Sequence, residues 1–381
     1  MSEGAAEPSF AGARVAVVHD WLQGMHGSEQ TVEAMVSGVF ADAEACDVFT
    51  FHAAHDVLSP VLSAAVARDA RITHLPGLRQ RGHDPGHWRM LLAYMPRWFA
   101  ALDLDGYDIV VSSSHAFAVG ARPRRAGAVH LCYCYTPIRY VWQRGVDGER
   151  LDGLQARVMG ALVGHLRRAD LRAAAAAGDF VAISSAVAER IHAAYGRPAA
   201  VIAPPVQTDA FAPGPERDLD HFTWVHRLTP YKRPQEVVEA FRGLPQRLTM
   251  VGIGPLEAEL RRGLPPNVEL RGWLERAELA RLLGRSGGFL HVGEEDFGIS
   301  MVEALASGTP VIALDRGGAT DIVRDGANGV TLSAAEPDLI RAAVRRVASS
   351  SWDRAALVAS AERFSRPRFV RRMREHVAAL C

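Results

Sequence analysis

Short apolar runs alternate with segments of helical periodicity along most of this 381-residue chain, and the alternation comes in two series. The first series predicts strands at 14–19, 46–51, 107–112, 128–134 and 180–183, with a helix over 28–40 that places Val32, Met35, Val36 and Val39 at helical spacing. The second predicts strands at 222–226, 248–252, 268–271, 288–292, 310–314 and 329–332, with helices starting near Pro234, Pro255, Glu275, Ser300 and Ala334. Repeated strand, helix, strand units demand parallel pairing, because each crossover must return the chain to the edge it left. Residues 203–220, the richest in proline and turn formers, fall between the two series. The chain is also too long for one ordinary core. An α/β protein is therefore expected, with two doubly wound parallel-sheet, Rossmann-like domains at 1–205 and 206–363 facing across a cleft. The basic amphipathic helix within 364–381 is expected to pack back on the first domain.

Composition narrows the function. Zero formal net charge and a pI near 7.3 give no reason to expect a nucleic-acid partner. Of the 43 basic residues 42 are arginine, and Lys232 is the only lysine, which suggests a position that needs a compact point charge. Cys46, Cys132, Cys134 and Cys381 have neither zinc nor redox spacing, so reduced thiols are expected. Residues 1–13 lack a basic and apolar leader pattern, and no apolar run reaches membrane-spanning length; a cytoplasmic protein is expected.

In an open α/β sheet the ligand crevice lies beyond the carboxyl ends of the strands, where helix N-termini present free N–H groups. The first such loop holds Gly24 and Gly27 but lacks the spacing of a dinucleotide fold, which counts against a dehydrogenase. The loop 226–234 carries Arg227 and Lys232, a fork and a point charge that can converge on one anion, with a diphosphate the obvious partner. Glycine turns at Gly252 and Gly254 and at Gly317 and Gly318 let backbone N–H groups approach such a ligand. Glu295 falls on the rim after a strand and Glu303 one turn into the following helix. Taken alone, Glu294, Glu295 and Asp296 also fit a solvated turn.

Together these residues carry a resemblance. Arg227 with Lys232, the run from Glu295-Asp296-Phe297-Gly298-Ile299 to Glu303-Ala304, and Gly317-Gly318 resemble the donor half of retaining GT-B glycosyltransferases of family 4, whose hallmark is Glu-x7-Glu. In the first half, His19-Asp20-Trp21-Leu22, Ser112-Ser113-Ser114-His115 and Cys134-Tyr135-Thr136-Pro137 with Arg139-Tyr140-Val141-Trp142 are similar to the O-antigen mannosyltransferase subgroup. The resemblance implies that Arg227 and Lys232 neutralise the diphosphate of a nucleotide sugar and that Glu303 holds the ribose hydroxyls. It implies that Glu295, with the backbone around Phe297, Gly298 and Ile299, orients the sugar, that Gly27 sits against the diphosphate, and that His115 hydrogen-bonds the sugar. The donor it favours is GDP-mannose; the acceptor it implies is a saccharide or lipid-linked saccharide of cell-surface polysaccharide or glycolipid synthesis. A UDP-sugar donor, or a sugar-nucleotide-binding protein without turnover, is the alternative.

The chemistry the resemblance implies needs neither metal nor cofactor, because fixed cations and helix N-termini stabilise the charge that develops on the leaving diphosphate. The competing metal scheme would use Asp103-Leu104-Asp105, but this motif precedes a predicted strand and reads as an exposed turn; His74, His83 and His87 lack ligand spacing. The first loop departs from the subgroup at His26 and Ser28, as do Tyr135 and Gln143, all in the acceptor half. The segment 87–102, with Trp88, Tyr94, Trp98 and Phe99 among arginines, fits either a helix packed on its own domain or peripheral contact with the inner membrane face.

Overall fold

The structure, a computed structural model, describes residues 7–70, 91, 93–142 and 153–381. The chain divides into two compact units, Met1–Ile183 with Val187–Pro204 and Phe369–Cys381, and Ser184–Ala186 with Pro205–Arg368.

Among the described residues the first unit holds seven strands, β1 (Arg14–His19), β2 (Ala45–Thr50), β3 (Val66–Arg68), β4 (Ile109–Ser114), β5 (Val129–Cys134), β6 (Asp179–Ala182) and β7 (Ala200–Val201). All pair in parallel, in the order β3-β2-β1-β4-β5-β6-β7. Val15 to Val18 and Ile109 to Val111 are buried on both faces, as central strands of a sheet covered by helices on both sides must be. Ala16, Val18, Phe49, Phe51 and Val110 pack with Met95, Trp98 and Phe99 into one core cluster. The edge strands β3 and β7 are absent from the sequence prediction because three and two residues are too few to display a period of two. The predicted helix over 28–40 is an α-helix, Gly27–Ala34, followed by a π-helical turn, Met35–Val39. The helix Arg366–Ala378 buries Phe369, Met373 and Val377 in this unit. Arg374 ties it down through Asp42 at 2.9 Å, and that guanidinium holds the Asp42 carboxyl well below the usual carboxylate range.

The segment considered for membrane contact turns Met95, Trp98 and Phe99 into the core, which leaves Tyr94 as its exposed aromatic among the described residues. Residues 87–90 and 92, with Trp88, and His74, His83 and Gln143, lie outside the described residues. Among the described residues no helix is long and apolar enough to cross a membrane. Asp103 and Asp105 form an exposed turn: Asp103 accepts the Asp105 N–H, and Asp105 accepts the Arg124 N–H at 2.7 Å.

The second unit has six parallel strands, β8 (Asp218–Val225), β9 (Arg247–Val251), β10 (Val268–Arg271), β11 (Ser286–His291), β12 (Val311–Leu314) and β13 (Gly329–Leu332), in the order β10-β9-β8-β11-β12-β13. Phe222, Trp224, Leu248, Met250, Val268 and Leu270 share one sheet face and pack with Val237, Phe241, Val344 and Val347 of the covering helices. Strand order reverses between β1 and β4 in the first sheet and between β8 and β11 in the second. Crossovers leave these paired strands in opposite directions, so a gap opens past their carboxyl ends.

Candidate active site

Past the carboxyl ends of β8 and β11 the second unit gathers four polar side chains. His226 follows β8, and Lys232 ends the 3₁₀ turn Pro230–Lys232. His291 is the last residue of β11, and Glu295 lies on the loop that joins it to the helix Ile299–Ala306. Lys232 and Glu295 form an ion pair through Glu295 Oε1. The same oxygen lies 3.6 Å from His226 Nδ1 and 3.8 Å from His291 Nε2. Burial, aided by the Lys232 charge, holds both imidazoles well below the usual histidine range.

Backbone geometry aims the lysine. Arg233 adopts φ 59° and ψ 40°, the left-handed region, and among the described residues no other non-glycine has positive φ. Pro234 disfavours the right-handed helical region at the preceding residue, so the sequence itself pushes Arg233 out of it. The conformation costs on the order of 1 kcal/mol, and it reverses the chain between the turn and the helix Pro234–Phe241. Lys232 ends buried, whereas Arg227 is exposed. Lys232 is turned onto the carboxylate of Glu295.

Gly298 caps the helix Ile299–Ala306 at φ 101°, where a Cβ would come within 2.3 Å of Met301 Cε. The helix then sets Glu303 inward. Burial pushes the Glu303 carboxyl up to about 7 while Arg276, 4.0 Å away, pulls it down. Arg276 also donates to Gln207 Oε1 and lies over the Phe211 ring. Gly317 and Gly318 follow β12, Gly317 at φ 61°. A Cβ on Gly318 would lie 2.3 Å from Phe297 Cα, and the Gly318 N–H is spent on the Glu295 carbonyl at 2.8 Å. These glycines let the turn pack against the loop that carries Glu295.

In the first unit, Asp20 follows β1, wholly buried, and accepts four N–H bonds of 2.6–2.8 Å from His115, Ala116, Phe117 and Ala118. It fixes the loop after β4 and sets His115 Nδ1 at 3.6 Å from its own carboxylate. Beside it, His19 Nδ1 lies 2.9 Å from the Ser113 carbonyl, and Tyr135 reaches both Ser113 Oγ at 3.0 Å and the Ser28 carbonyl at 3.2 Å. Burial takes His19 down to about 4. Gly27 opens the helix Gly27–Ala34, and its carbonyl accepts from Thr31 Oγ1 at 2.8 Å.

Sequence reasoning gave no role to His226, His291, Arg276 or Asp20. Histidine and aspartate after apolar strands are visible in the sequence, but their convergence depends on strand order.

Residues 207–364 match the family described as glycosyl transferases group 1. D-inositol 3-phosphate glycosyltransferase 1 of Catenulispora acidiphila is 27% identical over 345 residues, 78% of this chain and 77% of that protein. The GDP-mannose-dependent alpha-(1-6)-phosphatidylinositol monomannoside mannosyltransferase of Mycolicibacterium smegmatis is 28% identical over 312 residues, 67% of this chain and 80% of that one. The apo form of the lipopolysaccharide outer core galactosyltransferase WaaB superposes with a TM-score of 0.66 at 18% identity, covering 97% of this chain and all of that one. The two doubly wound units have the GT-B fold.

Proposed function

We propose that this chain, whose second unit carries a group 1 glycosyl transferase domain, is a retaining family 4 mannosyltransferase. It moves mannose from GDP-mannose to a saccharide or lipid-linked saccharide acceptor at the cytoplasmic side of the membrane. The observation that carries this reading is the gathering of Lys232, Glu295 and Glu303 beyond the carboxyl ends of one sheet, around the N-terminus of the helix Ile299–Ala306. A nucleoside diphosphate sugar offers a matching series of groups: a dianionic bridge for the lysine and helix terminus, a ribose diol for a carboxylate, and sugar hydroxyls for a second carboxylate.

Breaking the bond from the anomeric carbon to the diphosphate places negative charge on the leaving oxygen and positive charge on the sugar. Lys232, Arg227 and the helix N-terminus stabilise the first; Glu295 orients and electrostatically favours the second. Charge is compensated by groups of the chain itself, so the transfer needs neither metal nor cofactor. The relative named for GDP-mannose supports the donor; the relatives named for inositol phosphate and phosphatidylinositol mannoside support a polyol or lipid-linked glycan acceptor. The first-half motifs around Asp20 and His115 support the O-antigen-like subgroup.

Calorimetric titration with GDP-mannose, GDP, UDP-glucose and UDP tests the reading. Binding of the guanosine pair alone is expected. Preference for the uridine pair keeps the transferase and discards mannose from GDP-mannose, and binding of none of the four overturns the donor site.

A further inference from the structure

Two buried imidazoles stand beneath Glu295 without any assigned purpose. The His226 and His291 rings lie 4.5 Å apart at 68°, backed by Trp224, whose ring is 4.8 Å from His226, and by Phe289. Their neighbours along the strands, Trp224, Phe289, Leu290 and Val292, are apolar and buried. Aliphatic side chains would fill these places without burying ring nitrogens. Nε2 of each histidine finds no hydrogen-bond partner within 3.5 Å among the described residues, a condition that costs on the order of 1–3 kcal/mol for each buried group.

A ligand set of two histidines and a glutamate, with donor atoms within 4.8 Å of one another, also has the chemistry of a transition-metal site. Here the Lys232 ammonium pairs with the Glu295 oxygen that a metal would need. The cluster is closed by a cation of the chain itself, which leaves the carboxylate as the group the imidazoles address.

We infer that His291, assisted by His226, is a positioning residue that holds the Glu295 carboxylate in place when Lys232 turns from it to the donor diphosphate; this inference rests on the donor site proposed above. Ser300 Oγ lies 3.5 Å from His291 Nδ1, the long end of hydrogen-bond range, and a hydroxyl that donates there leaves the proton on Nε2, facing Glu295. The carboxylate therefore has a neutral donor waiting at 3.8 Å that does not compete with the diphosphate for the lysine. Glu295 is on an irregular loop, so its side-chain direction depends on such contacts rather than on a helix or strand.

The test compares wild type with His291→Leu, which removes the donor, His291→Gln, whose amide N–H₂ can replace Nε2–H, and Ser300→Ala, which frees the tautomer with little risk to the fold. Two readouts separate positioning from general damage. The first is the ratio of GDP-mannose to GDP affinity, since only GDP-mannose brings a sugar to Glu295. His291→Leu should lose about tenfold in that ratio, the worth of one charge-assisted hydrogen bond, with GDP affinity kept; His291→Gln should restore most of it and Ser300→Ala should show a smaller loss. The second readout needs no donor. Because Lys232 is the only lysine, selective ¹⁵N-lysine labelling gives one Nζ resonance from the chain. That resonance should shift in His291→Leu and return in His291→Gln. Equal losses for GDP and GDP-mannose, or an unmoved ratio and resonance, overturn the inference. If wild type binds neither nucleotide, the donor-site reading fails by itself, and the resonance still decides whether His291 positions the pair.

Discussion

Lys232 is ion-paired with Glu295, and the pair joins the loop after β8 to the loop after β11. The only lysine of an otherwise arginine-based chain thus sits where a small, mobile cation can serve either of two anions, the carboxylate or an arriving diphosphate. A planar guanidinium in the same space would be held by the carboxylate as a fork and would exchange less readily.

Lys232→Ala is expected to keep the fold and to lose about 3 kcal/mol of transition-state stabilisation, roughly a hundredfold or more in turnover. Lys232→Arg should restore charge but not activity, for the geometric reason above. Circular dichroism monitors the fold and a donor-hydrolysis or transfer assay the rate; full activity in Lys232→Ala would remove the diphosphate assignment.

In the proposed donor site Glu303 would link donor binding to pH. Its carboxyl is raised to about 7 by burial, so between its ordinary value of 4.5 and about 7 the folded chain keeps a proton that the unfolded chain releases. Stability contributed by this group therefore falls as pH rises through that window, by about 3 kcal/mol at most. Donor affinity should move the other way, because a carboxylate accepts both ribose hydroxyls and a protonated acid does not. GDP affinity measured from pH 6 to 8 should rise in wild type and stay flat, and weaker, in Glu303→Gln.

Asp20 anchors the loop after β4 through four N–H bonds. Asp20→Ala leaves four N–H donors, three of them buried, without their acceptor, and a loss of about 3 kcal/mol or more is expected. Asp20→Asn keeps one oxygen and should cost less. Urea denaturation of both variants checks the order; equal and small losses would mean that water replaces the carboxylate.

Trp273, 74% exposed, follows β10 three residues before Arg276, the side chain that reaches Glu303. Ile253, 56% exposed, follows the adjacent strand β9. Such a large exposed ring at the ligand edge is free to stack on a nucleobase. Trp273→Ala should weaken GDP by about 1–2 kcal/mol without changing thermal stability, and nucleotide should quench part of the tryptophan fluorescence in wild type but less in the variant. Unchanged GDP affinity would place the base elsewhere.

The parallel α/β class was legible because apolar periodicity is local: Val15 to Val18 and Phe289 to Val292 announce buried strands whatever surrounds them. The stretch from Glu295 to Glu303 was legible as well, since a strand, an irregular loop and a helix with its carboxylate one turn in are all set by near neighbours. The packing of Gly317 and Gly318 against the loop of Glu295 was not legible, because a glycine that admits a ligand and one that admits a neighbouring loop read alike in sequence.

The amino-acid sequence by itself determined the central strands of both sheets, that they pair in parallel, and that a lone lysine and Glu295 on loops, with Glu303 one turn into a helix, lie at one end of a sheet. Only the tertiary structure decided that Lys232 is turned onto Glu295, that His226 and His291 meet beneath the same oxygen, and that Asp20 holds the loop of His115. The reason is that strand order brings distant segments side by side, and the charge and hydrogen bonding of a buried group follow from those neighbours rather than from the residues beside it in the chain.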